Sequence, residues 1–207
     1  LDVHLSVEGL KRITEPVDIL DRDAFEKELN ELGSLRAKAD AIRTRLAKSI
    51  NTKYQENPAY YENFSKRIKE ALELYKARTI TEAEYLAKMR DILEDYRTGK
   101  SAIAYPDRIR ANVHAQAFYG VLTAIFSNEK LSVEPDFAAE MALDITTIIE
   151  KHSQVDWTHN LTIHDRISQD IDDLFYRYQK ERGLVLSFDV IDMIIENVKT
   201  VALRRFA

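Results

Sequence analysis

The chain has 207 residues, a formal net charge of −5 and no cysteine. That length can bury a real core, as one domain or two small lobes. Missing thiols exclude disulfides and thiolate metal sites, and the acidic balance excludes a domain that attracts DNA or anionic lipid as a whole. No run approaches about eighteen consecutive apolar residues, so neither a transmembrane helix nor a membrane partner is expected. The opening LDVHLSVEGLKRITEP has no initiator Met and no basic-then-apolar secretory pattern. A chain that opens on Leu1 in this way is expected to be a piece of something longer.

Residues 1–20 read as an irregular lead-in. LDVHLSV alternates like a short strand, but Pro16 and the lack of a partner strand argue against one. From Asp21 the apolar residues Phe25, Leu29, Leu32, Leu35, Ala39, Ile42, Leu46 and Ile50 recur at three and four, the stripe of a long helix with a break near Gly33. Asn57-Pro58 opens the next, since Asn caps and Pro fits a first turn; its stripe is Tyr61, Phe64, Ile68, Leu72 and Tyr75. Thr81 to Glu84 has capping-box spacing, followed by Leu86, Met89, Leu93 and Tyr96 and a stop at Gly99. After Pro106, ANVHAQAFYGVLTAIF is apolar on two faces, as a central helix should be. Pro135 begins another, with Phe137, Met141, Ile145 and Ile148. Asn160 or Thr162 begins one ending at Gly183, and Ser187 caps the last. Gly and Pro, five and four in number, fall at these punctuation points. The expected fold is all-α, a multi-helix bundle of about seven helices. It forms either one continuous domain or two lobes, 21–98 and 99–207, jointed around Lys100 to Pro106.

The chemistry-bearing motifs are few. EDYRTGKSAIAY ends a phosphate loop in appearance, but the first Gly of Gly-x-x-x-x-Gly-Lys-Ser would stand at Glu94. A carboxylate there repels phosphate, and the preceding period is helical. Gly99 is expected to end a helix, with Lys100 at the negative end of its dipole. His152, His159 and His164 lie near Asp156 and Asp165, but the last two histidines are five apart and lack the i, i+4 spacing of helix-borne metal ligands. They read as surface or capping residues. Asp170, Asp172 and Asp173 read as the wet face of a helix whose dry face is Ile167, Ile171 and Leu174. No Glu has Lys two residues later, as a metal-dependent nuclease motif needs. Arg36, Lys38, Arg43, Arg45, Lys48 and Lys53 oppose only Asp40 on one helix. Arg36, Arg43, Arg45 and Lys48 are therefore candidate DNA-phosphate contacts beside the plainer reading of a solvated face. Trp157, just before a helix, is expected to plug the core. No nucleophile, base and orienting group can be assembled, and no Ser sits in a Gly-x-Ser-x-Gly elbow.

Five segments in order carry a resemblance. GSLRAKADAIRTRLAKSI, the Pro-x-x-Tyr-x-x-Phe-Ser and Glu-Tyr-Leu parts of ENPAYYENFSKRIKEALELYKARTITEAEYL, QAFYGVL, and VDWTHN cover roughly residues 30 to 178. Together they resemble the C-terminal helical region of type I restriction enzyme R subunits. Asp156, Trp157 and Thr158 match the family's signature and read as structural. The end, LVLSFDVIDMIIENVKTVALRRFA, departs from the family in lacking its proline-containing tail, so tail-specific contacts are not carried over.

The resemblance implies a parent that is an ATP-dependent DNA translocase and endonuclease, cytoplasmic in a bacterium or archaeon. In that family the nuclease and motor domains are N-terminal to this region, and ATP and magnesium belong to them. No catalytic, cofactor or metal residue is expected here. The partners implied are the methyltransferase and specificity subunits, the motor domains of the same chain, and DNA in the full complex. Arg204, Arg205 and Phe206, at the end of the last helix, are candidate partner contacts. The function expected is that of a noncatalytic assembly scaffold; the alternative is a domain that holds DNA near the motor through the stripe at 36–53.

Overall fold

The computed structural model describes residues 17–100, 103–154 and 156–207. The strand-like LDVHLSV and Ser101 lie outside the described residues. Among those described there are eight α-helices and no strand, so the chain is all-α. In order they are α1 (Arg22–Asn30), α2 (Leu35–Lys53), α3 (Pro58–Lys76), α4 (Glu82–Thr98), α5 (Val113–Asn128), α6 (Pro135–His152), α7 (Leu161–Arg182) and α8 (Phe188–Arg205). Single 3-10 turns occupy Tyr54–Glu56, Asp107–Ile109 and Trp157–His159. The count exceeds the expected seven because the break near Gly33 is complete. Helix α2 has its own start, where the Ser34 hydroxyl accepts from the Ala37 amide at 3.1 Å.

Local chemistry sets the other boundaries too. Asn57 Oδ1 accepts from the Tyr60 amide at 3.2 Å, ahead of Pro58 in the first turn of α3. At α4 the Thr81 hydroxyl accepts from the Glu84 amide at 3.2 Å, and Glu84 Oε2 accepts from the Thr81 amide at 2.8 Å. The Thr81 amide and hydroxyl hold the Glu84 carboxyl below its ordinary range. Loss of the hydroxyl that caps the Glu84 amide in Thr81→Ala should cost about 1 kcal/mol of unfolding free energy, the usual worth of an N-cap. Urea denaturation checks it; an unchanged midpoint would mean that the cap is not needed. Helix α4 ends at Gly99, whose φ of 70° is left-handed and costs glycine little.

The apolar stripes close into two clusters. The first holds residues from Ile19 to Tyr96, including Phe25, Leu46, Phe64, Tyr85 and Met89. The second holds residues from Ile109 to Ala202, including Phe118, Met141, Phe175 and Ile194. In the first, α4 packs against α2 and α3; in the second, α5 packs against α6 and α8, and α7 against both α6 and α8. Helix α5 also lies on α3, a helix of the first cluster, although its own buried side chains belong to the second. This is the physical reason for its two apolar faces: Ala115, Ala117, Phe118, Tyr119, Val121, Leu122, Ile125 and Phe126 are all buried. Contact with α3 is closest at Gly120, where a Cβ would stand 2.6 Å from the Ala59 Cβ. Only glycine lets the two helices meet there.

Candidate functional site at the seam between the two cores

The end of α8 meets the α2–α3 connection at the α3–α5 crossing. Arg205 is half-buried and its guanidinium reaches three acceptors. Nη1 donates to the Glu56 carbonyl at 3.1 Å, Nη2 to the Val113 carbonyl at 3.0 Å, and Nε to His114 Nδ1 at 3.3 Å. Burial lowers the Arg205 pKa, but a guanidinium stays charged throughout the accessible range. His114 is pushed below its ordinary value, by burial first and by the Arg205 charge second, with Glu150 opposing. Arg204 is exposed, and its Nε donates to Gln55 Oε1 at 2.9 Å. The Phe206 ring lies 4.4 Å from the His114 ring and stacks at 6.3 Å on Phe118. An open groove of about 720 Å³ runs beside this seam, lined by polar residues such as Asn51, Gln55, Glu56 and Arg204.

Trp157 supports the same corner. It is 3% exposed, and its Nε1 donates to the Phe206 carbonyl at 2.9 Å. Asp156 before it takes a left-handed φ of 63°, which a short polar side chain tolerates. The Trp157 carbonyl lies 3.1 Å from His164 Nε2, and the two rings meet edge to face at 5.7 Å. Trp157 is thus a core residue, as its position before a helix suggested; Thr158 shares its 3-10 turn.

The candidate residues divide. Arg205 and Phe206, expected to face a partner, are committed to contacts inside the chain; only Arg204 is exposed. Removing the first two would touch the fold as well as any partner. The basic residues of α2 do not form one stripe. At about 100° per residue, Arg36 and Arg43 share a flank, whereas Arg45 lies about 180° from Arg36. Arg36 and Arg43 both approach Asp40, at 3.7 and 3.4 Å, and Arg45 pairs with Glu28 of α1 at 2.7 Å. Glu28 is a partner that a reading confined to α2 misses. Lys48 is exposed and lines a cleft of about 240 Å³ with Arg45, Lys53 and the Val17 to Leu20 segment.

The remaining motifs have structural roles. His152 Nε2 and Lys151 Nζ meet Asp170 Oδ2 at 2.8 and 2.9 Å, tying α6 to α7. The His152 bond, with that of Lys151, holds the Asp170 carboxyl below its ordinary range. Asp172 and Asp173 are exposed, and among the described residues no group of three or more His, Cys, Asp or Glu is placed to hold a metal ion. Glu94, at the position of the phosphate loop's first Gly, pairs with Arg22. The Lys100 amide closes the helix end onto the Asp95 carbonyl at 2.9 Å. Both contacts belong to the end of α4, which Gly99 closes. Sequence reasoning missed His114, which lies among apolar residues with no motif around it. The carbonyls of Glu56 and Val113 have no residue-type signal at all.

Two hydrophobic cores, linked where α5 crosses α3 and where the half-buried Arg205 guanidinium spans the seam, make up this all-α domain. The model for the family described as type I restriction enzyme HindI endonuclease subunit-like, C-terminal, matches residues 7–202, and the chain belongs to that family. The resemblance drawn over residues 30 to 178 therefore holds and extends nearly to both ends. No curated protein and no solved structure matches the chain. None of the helices among the described residues is long and apolar enough to cross a membrane.

Proposed function

We propose that this C-terminal domain is a noncatalytic assembly element, docking a type I restriction endonuclease subunit onto its methyltransferase and specificity core. ATP and magnesium act in other domains of the parent enzyme, and the complex works in the cytoplasm. The observation that carries the reading, beside family membership, is a pair of large apolar side chains in water. Val185 is 82% exposed and Phe188 is 84% exposed, three residues apart where α7 turns into α8. Side chains of this kind become anchors when a partner covers them, with a polar rim around them. Exposed Asp189 and Asp192 on the next turn supply such a rim.

Co-purification with the methyltransferase core, with and without DNA, tests this. Retention without DNA is expected. V185S/F188S should abolish it while leaving the unfolding midpoint within experimental error, because exposed substitutions move stability by less than about 0.5 kcal/mol. Unaltered retention of that variant would remove the anchors. Retention only with DNA, weakening log-linearly with salt, would instead favour phosphate contact through Arg36, Arg43, Arg45 and Lys48.

A further inference from the structure

The α7–α8 turn is held firmly although Val185 and Phe188 face water. Gly183 ends α7 with a left-handed φ of 67°, and Gln179 Nε2 donates to the Leu186 carbonyl at 2.8 Å. Leu186, next to Val185, is buried, and the Ser187 hydroxyl caps α8 by accepting from the Val190 amide at 3.3 Å. The buried stripe of α8 runs from Val190 to Ala202 and recurs at three and four, so the helix packs without Phe188. Val185 and Phe188 are therefore presented on a fixed backbone, which spares a partner the cost of ordering them.

Beyond the turn, the outer face of α8 is acidic. Asp189, Asp192 and Glu196 are exposed and lie within about 100° of Phe188 around the helix. Glu196 pairs with Lys199 at 2.9 Å, whereas among the described residues no cation pairs with Asp189 or Asp192. Asp189 is in the first turn, where its charge favours the helix dipole. Asp192 lies past that turn and has no such role. Exposed Arg204 is at the other end of α8, engaged with Gln55. This pattern disfavours two occupants. A nucleic-acid backbone would set its phosphates against the carboxylates. A symmetric pair of this chain would set Asp189 and Asp192 against their own copies, because an isologous contact joins a patch to itself.

We propose that the α7–α8 turn and the first half of the outer face of α8 dock on a basic protein surface, one that carries Lys or Arg around an apolar recess. Val185 and Phe188 fill the recess, and Asp189 and Asp192 meet the cations. This rests on the proposed docking function and names the chemistry of the partner. The two parts have separate kinetic signatures. Complementary charge at the rim speeds encounter and is screened by salt. Burial of the apolar pair sets how long the complex lasts.

Biolayer interferometry of the chain against the methyltransferase and specificity core, without DNA and at low and physiological salt, tests this. The native association rate should fall as salt rises. D189K/D192K should associate about tenfold more slowly, the lower end of electrostatic steering effects. E31K/E70K, at exposed positions after α1 and on α3, adds the same charge on the other core and should change the rate much less. Equal rates for the two variants overturn the proposal. So does faster binding of D189K/D192K, which would mean an acidic partner surface. Loss of retention in V185S/F188S with no effect of D189K/D192K leaves the docking function standing and removes the basic partner alone. No binding of the native chain at either salt removes both. If sedimentation shows a native dimer that V185S/F188S turns into monomer, the occupant is a second copy and the proposal falls. If D189K/D192K does not fold, D189N/D192N decides, because removing the two charges must also slow association.

Discussion

Replacing Trp157 with alanine is expected to destabilise the chain by about 3–5 kcal/mol, the range for truncating a large buried aromatic. The side chain is almost fully buried in the second core, beside His164 at the start of α7. Its indole N–H also holds the Phe206 carbonyl, and so ties the end of α8 to the turn before α7. Trp157→Phe separates the two contributions. It keeps much of the apolar volume but leaves that carbonyl without the indole, which should cost about 1–3 kcal/mol. Urea denaturation followed by circular dichroism measures both. A loss below about 1 kcal/mol for the alanine variant would show that the core closes without the indole.

Gly120→Ala should be destabilising, although helix propensity alone predicts a gain of up to about 1 kcal/mol. The added Cβ would stand 2.6 Å from the Ala59 Cβ. That obstacle is fixed to the α3 backbone and has no rotamer to change. Relieving it means separating α3 from α5, and overpacking of this kind costs about 1–3 kcal/mol, enough to outweigh propensity. The test is a double-mutant cycle: Ala59→Gly removes the obstacle, so G120A/A59G should recover most of the loss, with a coupling that independent sites lack. If the double variant is no better than the sum of the singles, the close approach is not what glycine provides here.

These two positions differ in how far the sequence announced them. Trp157 is a lone large aromatic just before a helix in an otherwise polar segment, so a core role could be read directly. Gly120 looks like a liability in the middle of α5. Nothing local reveals that Ala59 lies across from it, because the contact joins helices from different cores. The same contrast holds for the charged residues. Arg36 and Asp40 are one helical turn apart, and their pairing follows from spacing. The pairing of Arg45 with Glu28 needs α1 and α2 to fold back on one another. The basic character of α2 and its local pairing with Asp40 were therefore legible, but the pairing with Glu28 was not.

The helix end at Gly99 followed from local rules. Gly99 ends α4 with left-handed backbone, and the period before it is helical. The C-terminal Arg204, Arg205 and Phe206 show the opposite case. Their sequence position suggests a free helix end, whereas the fold turns two of them inward against residues far away in the chain.

By itself the sequence determined the all-α class, nearly every helix boundary, the central place of α5 and the family. All of these rest on short-range physics or on residue identity: caps act within three or four residues, and an apolar stripe repeats every turn. Only the tertiary structure decided the seam. Arg205 reaches the Glu56 carbonyl across 149 residues and the Val113 carbonyl across 92. Every residue has a backbone carbonyl, so such acceptors leave no trace in the sequence, and packing alone chooses which of them a half-buried guanidinium finds.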